Sequence, residues 1–495
     1  MNTPVPSIRI RTLRPKPLNP GGDFVLYWMI ATRRIHYNFS IQHAVDRSME
    51  LDKPLVILEA LRCGYPWAND RIHQFIIDGM TDTAHALQKY GNVWYYPYLE
   101  RKKDAGKGLL KAIAATACMV ITDDFPAFFL PKMVTSAADQ INIRLELVDS
   151  NGLLPLRAAT QVYPTAYAFR RFLQKTLPDH LLSVPEKDPL ERLETPRFRG
   201  FSEKILNRWP SALTELQKKN PFSGFRFPID HRIPGVKQKG GPISAGKTLS
   251  NFLENKLGSY IDKRNQPEED ATSGLSPYLH FGHLSAHEIF LNLTEKENWF
   301  PHDLSEKSTG SKSGWWGLSP GSEAFLDELI TWRELGFNMC AHRMDYDRFE
   351  SLPGWAKETL FVHETDTRPY LYSYEDLEKA KTHDSLWNAA QIQLLKEGRI
   401  HNYLRMLWGK KILEWSHHPK TALEMMIDLN NTYALDGRDP NSYSGIFWCL
   451  GRYDRPWGPE RPVFGKIRYM SSQNTARKVR VHGYLKRYAA KVNPL

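Results

Sequence analysis

In the segment DELITWRE, Glu328 and Trp332 stand one helical turn apart, a spacing that can present a carboxyl and an indole to one cavity. A surface glutamate beside a core tryptophan has the same spacing, so the pair decides nothing alone. Trp408 and Trp415, seven positions apart in RMLWGKKILEW, project from one face of a helical segment, about 10 Å apart at 1.5 Å rise per residue. Trp387 and Tyr372 lie upstream of them. In TSGLSPYLHFG the hydroxyls of Thr272, Ser273 and Ser276, with Gly274 permitting close backbone approach, supply what a diphosphate needs. A serine-capped helix start is written with the same letters. Arg405 and Asp436 suit a mutually neutralising pair beside a polar cofactor, or a plain structural ion pair. Near the C-terminus Arg452, Arg455, Arg461, Lys466 and Arg468 alternate with Trp457, Phe464 and Tyr469. Cations that hold phosphates beside rings that stack on unpaired bases fit distorted DNA, and a solvated charged face has a similar composition.

The elements that must position these residues fall into two kinds. In a chain of 495 residues at least two cores are expected. From residue 23 the runs FVLYWM, PLVILEAL, VWYYPYL, CMVITDDF and IRLELVDS alternate with helix-period segments, which predicts a doubly wound α/β domain with a five-stranded parallel sheet over 23–150. Its first turn, ATRRIHYN, has no GxGxxG, so a dinucleotide fingerprint is missing. Residues 1–22, basic and carrying four prolines, read as a flexible tail, and 151–245 as a connector with some helices. Gly241 to Thr248 matches GxxxxGK[ST], but it follows a polar, glycine-rich stretch rather than a buried strand, which favours a linker entering a helix. Residues 246–495 read as an all-helical domain, with a Gly/Ser-rich surface insertion at 303–320.

The net charge of +11 favours an anionic partner such as nucleic acid. The 14 Trp, 22 Tyr and 23 Phe make the chain rich in aromatics, most of which read as core and a part as available for function. Four scattered cysteines give neither a disulfide framework nor a zinc site, and no metal is expected. No apolar run is long enough to cross a membrane, and the leader lacks the apolar core of a secretory signal, so a soluble protein is expected.

Taken together, FVLYWM, RRIHYN, TSGLSPYLHFG, FESLPGWAKETL, KTHDSLWNAAQ, RMLWGKKILEW, LDGRDPN and ERPVFGKIRYM resemble the photolyase/cryptochrome family, most closely its class II cyclobutane pyrimidine dimer photolyases. They run in order nearly end to end. The resemblance implies FAD in the helical domain, reduced when active, which after blue-light excitation passes an electron to a flipped pyrimidine dimer in UV-damaged DNA. It implies that Trp408, Trp387 and Trp415 are the relay that reduces the flavin, with Tyr372 as a side member. Class I members place a Trp where this chain has Ile446, so the relay is class II in type.

The same resemblance makes Trp332 and Trp448 the indoles that pack on the dimer, Glu328 the carboxyl on a thymine carbonyl, and Met406 an apolar contact. Arg468 fills the gap left in the duplex, with Arg455, Arg461 and Lys466 beside it on DNA. Tyr260, Thr272, Ser273, Leu275 and Ser276 match the diphosphate segment, and Asn402, Arg405 and Asp436 the flavin surroundings. Asn430 is the choice for the N5 contact, with Asn441 second. Gly274, the segment His401-Asn402-Tyr403 and Tyr453 depart from the class pattern. Members of the family often hold a second, light-harvesting chromophore in the α/β domain, a deazaflavin or another; the sequence leaves its presence and identity open. A monomer is expected, in the cytoplasm with the nucleoid or in the nucleus, with organelle import left open. The rival expectation is a cryptochrome-like FAD photoreceptor without repair activity.

Overall fold

The apolar runs become strands of one sheet: β1 (Ile10–Thr12), β2 (Phe24–Met29), β3 (Leu55–Leu61), β4 (Val93–Leu99), β5 (Ala117–Asp123) and β6 (Leu145–Val148). The computed structural model describes residues 4–218 and 226–489. All six residues of β2 and all seven of β5 are buried, as a parallel sheet covered on both faces requires. The strand order is β1-β6-β5-β2-β3-β4, and β2 to β6 pair in parallel.

The sixth strand comes from the segment read as a flexible tail, whose residues 1–3 lie outside the described residues. β1 pairs antiparallel with β6 through Ile10 and Val148, covering an edge that would otherwise be open. Arg9 is fully buried, donates to the carbonyls of Gly152 and Leu153, and lies 4.7 Å from the Phe39 ring centre. Arg11 makes two 2.7 Å bonds to Asp124. The basic residues that suggested a mobile leader are thus matched to particular acceptors.

Beyond the sheet, short helices such as Ala166–Thr176 and Glu203–Arg208 lead to Trp209, whose carbonyl accepts from the Tyr96 hydroxyl. The GxxxxGKT segment opens the helix Pro242–Asn255, and the backbone N–H groups a phosphate would need are already engaged. Gly240 and Ile243 donate to the carboxylates of Asp78 and Asp82, and Gly241 donates to His283. Likewise the turn after β2 folds around an internal anion: Ile30, Ala31 and Thr32 donate to Asp123 at 2.8–3.0 Å.

From residue 246 onward the described residues hold helices and no strand. Within 303–320, read as a surface insertion, Trp315 and Trp316 are buried, so that segment is anchored to the core. The two domains interlock. Gly282, at φ +72°, lies so close to Ala31 that a Cβ would overlap its carbonyl oxygen, and Arg34 donates to the Gly282 carbonyl. Arg71 of the sheet domain donates to the carbonyls of Leu394, Leu395 and Tyr433. Among the described residues no helix is long and apolar enough to cross a membrane.

Candidate functional site

Glu328 and Trp332 do not sit on a plain α-helical turn. The segment Asp327–Trp332 is a π-helical turn between the α-helices Pro320–Leu326 and Arg333–His342, a widening often found where side chains are re-aimed for function. Arg170 holds it by two bonds to Asp327 at 2.7 and 3.0 Å. The following helix approaches Pro440–Trp448 through Gly336, where a Cβ would stand 2.8 Å from the Pro440 oxygen. That contact brings Trp332 and Trp448 together, their centroids 4.7 Å apart and their planes 20° from parallel. Both are half-buried and form an apolar wall. Met406, also half-buried, has its sulfur 4.0 Å from that of Cys449, the residue after Trp448.

Glu328 pairs with Arg264, a partner that no sequence pattern marked. Burial pushes the Glu328 carboxyl above its ordinary value, while Arg264 pulls the other way. Tyr260 is buried beside Arg264, whose guanidinium lies 5.5 Å from its ring centre.

A second cluster gathers the residues typed for a cofactor. Arg405 meets Asp436 at 3.1 Å, and the Ser276 hydroxyl donates to the same carboxylate at 2.9 Å. Burial alone would raise the Asp436 carboxyl; the Arg405 charge and the bonds from Ser276 and Arg405 outweigh it and bring it below its ordinary value. The Nε of Arg405 is buried with no partner. Asn430 is buried and spends its amide on Ser442 at 2.8 Å, leaving its Oδ1 without a protein donor among the described residues. Thr272 and Ser273 are half-buried, Leu275 is buried beside them, and Gly274 takes the left-handed conformation, φ +69°. Asn402 is exposed at the first turn of the helix Asn402–Glu414, and Asn441 is exposed too, two residues after the N-cap Asp439, which accepts its N–H. An unpartnered guanidinium N–H, an amide oxygen without a donor and the Thr272 and Ser273 hydroxyls beside a left-handed glycine, Ser273 accepting only from the Leu275 N–H, fit a large group with polar ring edges and phosphates.

The three tryptophans of the interior are almost wholly buried, at 0–2% exposure. Trp408 and Trp415 lie on the helix Asn402–Glu414 and at its C-terminal cap, and Trp387, from the helix Ser385–Glu397, joins them. Its indole N–H donates to the Trp408 carbonyl at 3.0 Å and its ring meets Trp415 at 5.6 Å. The Trp408 N–H donates to Gln391 at 2.9 Å, a second residue that sequence reasoning missed. Tyr372 packs edge-on against Trp415 at 5.3 Å and reaches the surface. Trp387, Trp415 and Tyr372 thus form a series of ring contacts running outward, and Trp408 joins it through its backbone carbonyl.

The basic stretch divides. Arg455 and Arg468 both lie over Trp457, at 4.8 and 5.1 Å, and Arg461 lies over Tyr469 at 4.9 Å. Lys466 pairs with Glu460 on the surface. Arg452 does not belong to this face: it is buried 3.7 Å from the Phe447 ring centre and donates to the Tyr346 carbonyl. Tyr453, a departure from the class pattern, is buried at φ +65° against Ser444.

The sheet domain contributes a cavity of about 580 Å³ at the carboxyl ends of its strands. The sheet order reverses there between β2 and β5, the place where open α/β sheets receive ligands. Trp28, Arg33, Tyr98, Phe128 and Met133 line it, with Arg438 from the helical domain. The Tyr65 hydroxyl, on the same lining, is buried without a partner.

No family model matches the chain. It is 35% identical over 480 residues to a deoxyribodipyrimidine photo-lyase of Methanothermobacter thermautotrophicus, spanning 97% of each chain. A protein of the same name from Arabidopsis thaliana is 31% identical, over 96% of this chain and 92% of the relative. Another from Potorous tridactylus is 31% identical, over 93% and 80%. Among solved structures, a class III photolyase from Agrobacterium tumefaciens has a similar fold at TM-score 0.65 and 17% identity, covering 94% of this chain and 86% of that one.

Proposed function

Because the chain belongs to the photolyase/cryptochrome family, we propose that it is a light-driven DNA repair lyase of the class II type, which splits cyclobutane pyrimidine dimers. The observation that carries this reading is the half-open wall of Trp332 and Trp448 with Glu328 beside it, in a chain alike nearly end to end to proteins named deoxyribodipyrimidine photo-lyase. Two near-parallel indoles offer an apolar surface to paired pyrimidine rings. Glu328, whose protonated form burial favours against the pull of Arg264, donates its carboxyl O–H to a pyrimidine carbonyl, and Met406 adds an apolar contact.

Bound, reduced FAD supplies the photo-excited electron. Tyr260, Thr272, Ser273, Leu275 and Ser276 hold its diphosphate region; Arg405, Asp436, Asn402 and Asn430 orient its ring system and exclude water. The free Oδ1 of Asn430 suits an N–H of that ring. Trp408, Trp387, Trp415 and Tyr372 carry electrons from the surface inward, since hopping needs neighbouring rings of accessible potential. Arg455, Arg461, Lys466 and Arg468 face the DNA, with Arg468 filling the gap left by the flipped dimer. The cavity at the sheet ends takes a second chromophore, a planar pigment such as a deazaflavin, with the unpartnered Tyr65 hydroxyl available to it. The protein acts as a monomer in a compartment that holds DNA, the cytoplasm or the nucleus.

The test is to reduce the flavin-loaded protein, add DNA bearing a thymine dimer, and follow dimer loss in blue light and in darkness. Repair in light only is expected. Binding of flavin and of damaged DNA with no repair in light would overturn the reading in favour of a photoreceptor.

A further inference from the structure

At the outer end of the aromatic series, Tyr372 and His383 form a closed pair. The Tyr372 oxygen accepts from the backbone N–H of His383 at 2.9 Å and stands 2.7 Å from His383 Nδ1. Among the described residues Nδ1 is the one acceptor within reach of the phenolic hydrogen. The phenol therefore donates and Nδ1 accepts, which places the proton of the neutral imidazole on Nε2. His383 is exposed, and among the described residues no protein group is bonded to its Nε2. Both rings of the pair touch Trp415, each 5.3 Å away by centroid. Tyr370, half-exposed, stacks on the imidazole at 3.8 Å and 22°. The charged groups nearby are committed elsewhere: Lys411 lies 5.5 Å from the Trp415 ring centre and pairs with Glu414, while Asp384 accepts from the N–H groups of Leu386 and Trp387.

We propose that His383 is the proton acceptor of a proton-coupled terminus, in which Tyr372 gives an electron to oxidised Trp415 and its phenolic proton to His383 Nδ1. The inference rests on the relay reading above. The oxidant is the light-excited flavin, acting through the relay, which leaves Trp415 one electron short. In the step the O–H bond of Tyr372 breaks, an N–H bond forms on Nδ1, and the indole regains its electron. The products are a neutral tyrosyl radical, a neutral tryptophan and an imidazolium, which releases its Nε2 proton to water. Losing the proton spares the phenol a positive charge and opposes return of the electron, and a positioned base adjacent to the oxygen makes that loss fast. His383 acts here as a proton-accepting, positioning residue, and the electron itself comes from Tyr372.

Two measurements test it. In the dark, 15N resonances of His383 should report an unprotonated, hydrogen-bonded Nδ1 and a protonated Nε2, and Tyr372→Phe should remove the hydrogen-bond shift. A protonated Nδ1 in the neutral imidazole would overturn the proposal without any flavin chemistry. Under flash excitation of the flavin-loaded protein, His383→Ala should prolong the Trp415 radical and slow formation of the tyrosyl radical by about 100-fold, the lower reach of general-base effects. Added imidazole should restore the rate, and the wild-type step should slow in D2O. Unchanged kinetics in His383→Ala, with Trp408→Phe still blocking photoreduction, would sink this inference alone. Photoreduction that survives Trp408→Phe would instead remove the relay on which it rests.

Discussion

Trp387, Trp408 and Trp415 are closed off from solvent, whereas Trp332 and Trp448 keep part of their rings in the open, although one helical domain holds both groups. The indole N–H groups of Trp387 and Trp408 are spent on protein acceptors. Those of Trp332 and Trp448 have no protein partner among the described residues. The carboxylates divide in the same way. Asp436, on the interior side, is held below its ordinary value by Arg405 and Ser276 against the effect of burial, while Glu328 at the wall is raised by burial despite Arg264. Folding alone satisfies the indole N–H groups of Trp387 and Trp408. The wall leaves its indoles open to a ligand, and stability and function should therefore respond to mutation in opposite ways at these two sets of rings.

The sharpest break comes from truncating one ring in each group. Trp387→Ala should cost about 3–5 kcal/mol of folding stability, because it leaves a cavity and strands neighbours packed on a fully buried indole. Trp332→Ala should cost clearly less, since half-buried positions lose less contact. Denaturant midpoints decide the matter, and equal losses would erase the distinction. Affinity should then reverse the order. Trp332→Ala should weaken binding of dimer-containing DNA by about 1–3 kcal/mol, the usual worth of a base–aromatic stack, while the folded fraction of Trp387→Ala binds nearly as wild type. Competition titration of damaged against undamaged DNA measures this difference.

How much of this was legible in the chain follows the range of the forces involved. The five parallel strands could be read because each is a short apolar or β-rich run, a local signal. β1 escaped, since Ile-Arg-Thr is short, flanked by prolines and basic, and it becomes a strand only because β6 offers an edge. Its acceptors, Asp124 and Asp149, stand more than a hundred positions away. The residue types of the candidate site were readable from motifs, but their companions were not. Arg264, Gln391 and Ser442 enter through tertiary contacts, and nothing in YIDKR or NAAQ announces them. The π-helical turn was equally hidden, because DELITW has an ordinary helical composition. Arg452 shows the opposite error, a basic residue within a basic run that the fold buries against Phe447.

The two carboxylates sharpen the comparison through pH. Glu328 has a folded pKa above its unfolded one, so its contribution is fully present below the ordinary carboxyl value and fades as pH rises through the raised value. Asp436 has a folded pKa below its unfolded one, so its contribution is present above the ordinary value and is lost as pH falls through the depressed value. Glu328→Gln should flatten the stability profile on the neutral side of that range, and Asp436→Asn on the acid side. Unfolding midpoints collected from pH 3 to 8 would show it, and a single variant flattening both limbs would contradict the separate environments.

The smallest effect is expected at the basic face, where salt separates charge from stacking. Arg468→Ala should lower the salt dependence of DNA affinity by about one phosphate contact, whereas the loss in Trp332→Ala should hardly change with salt. Arg468 also packs 5.1 Å from the Trp457 ring centre, so alanine removes a charge and a flat partner together. Arg468→Lys keeps the charge and gives up the planar stack. If the lysine variant restores the slope but not the affinity for dimer-containing DNA, the guanidinium plane contributes as a filler of the gap. If it restores both, Arg468 is a phosphate contact, and recognition of damage falls to the tryptophan wall.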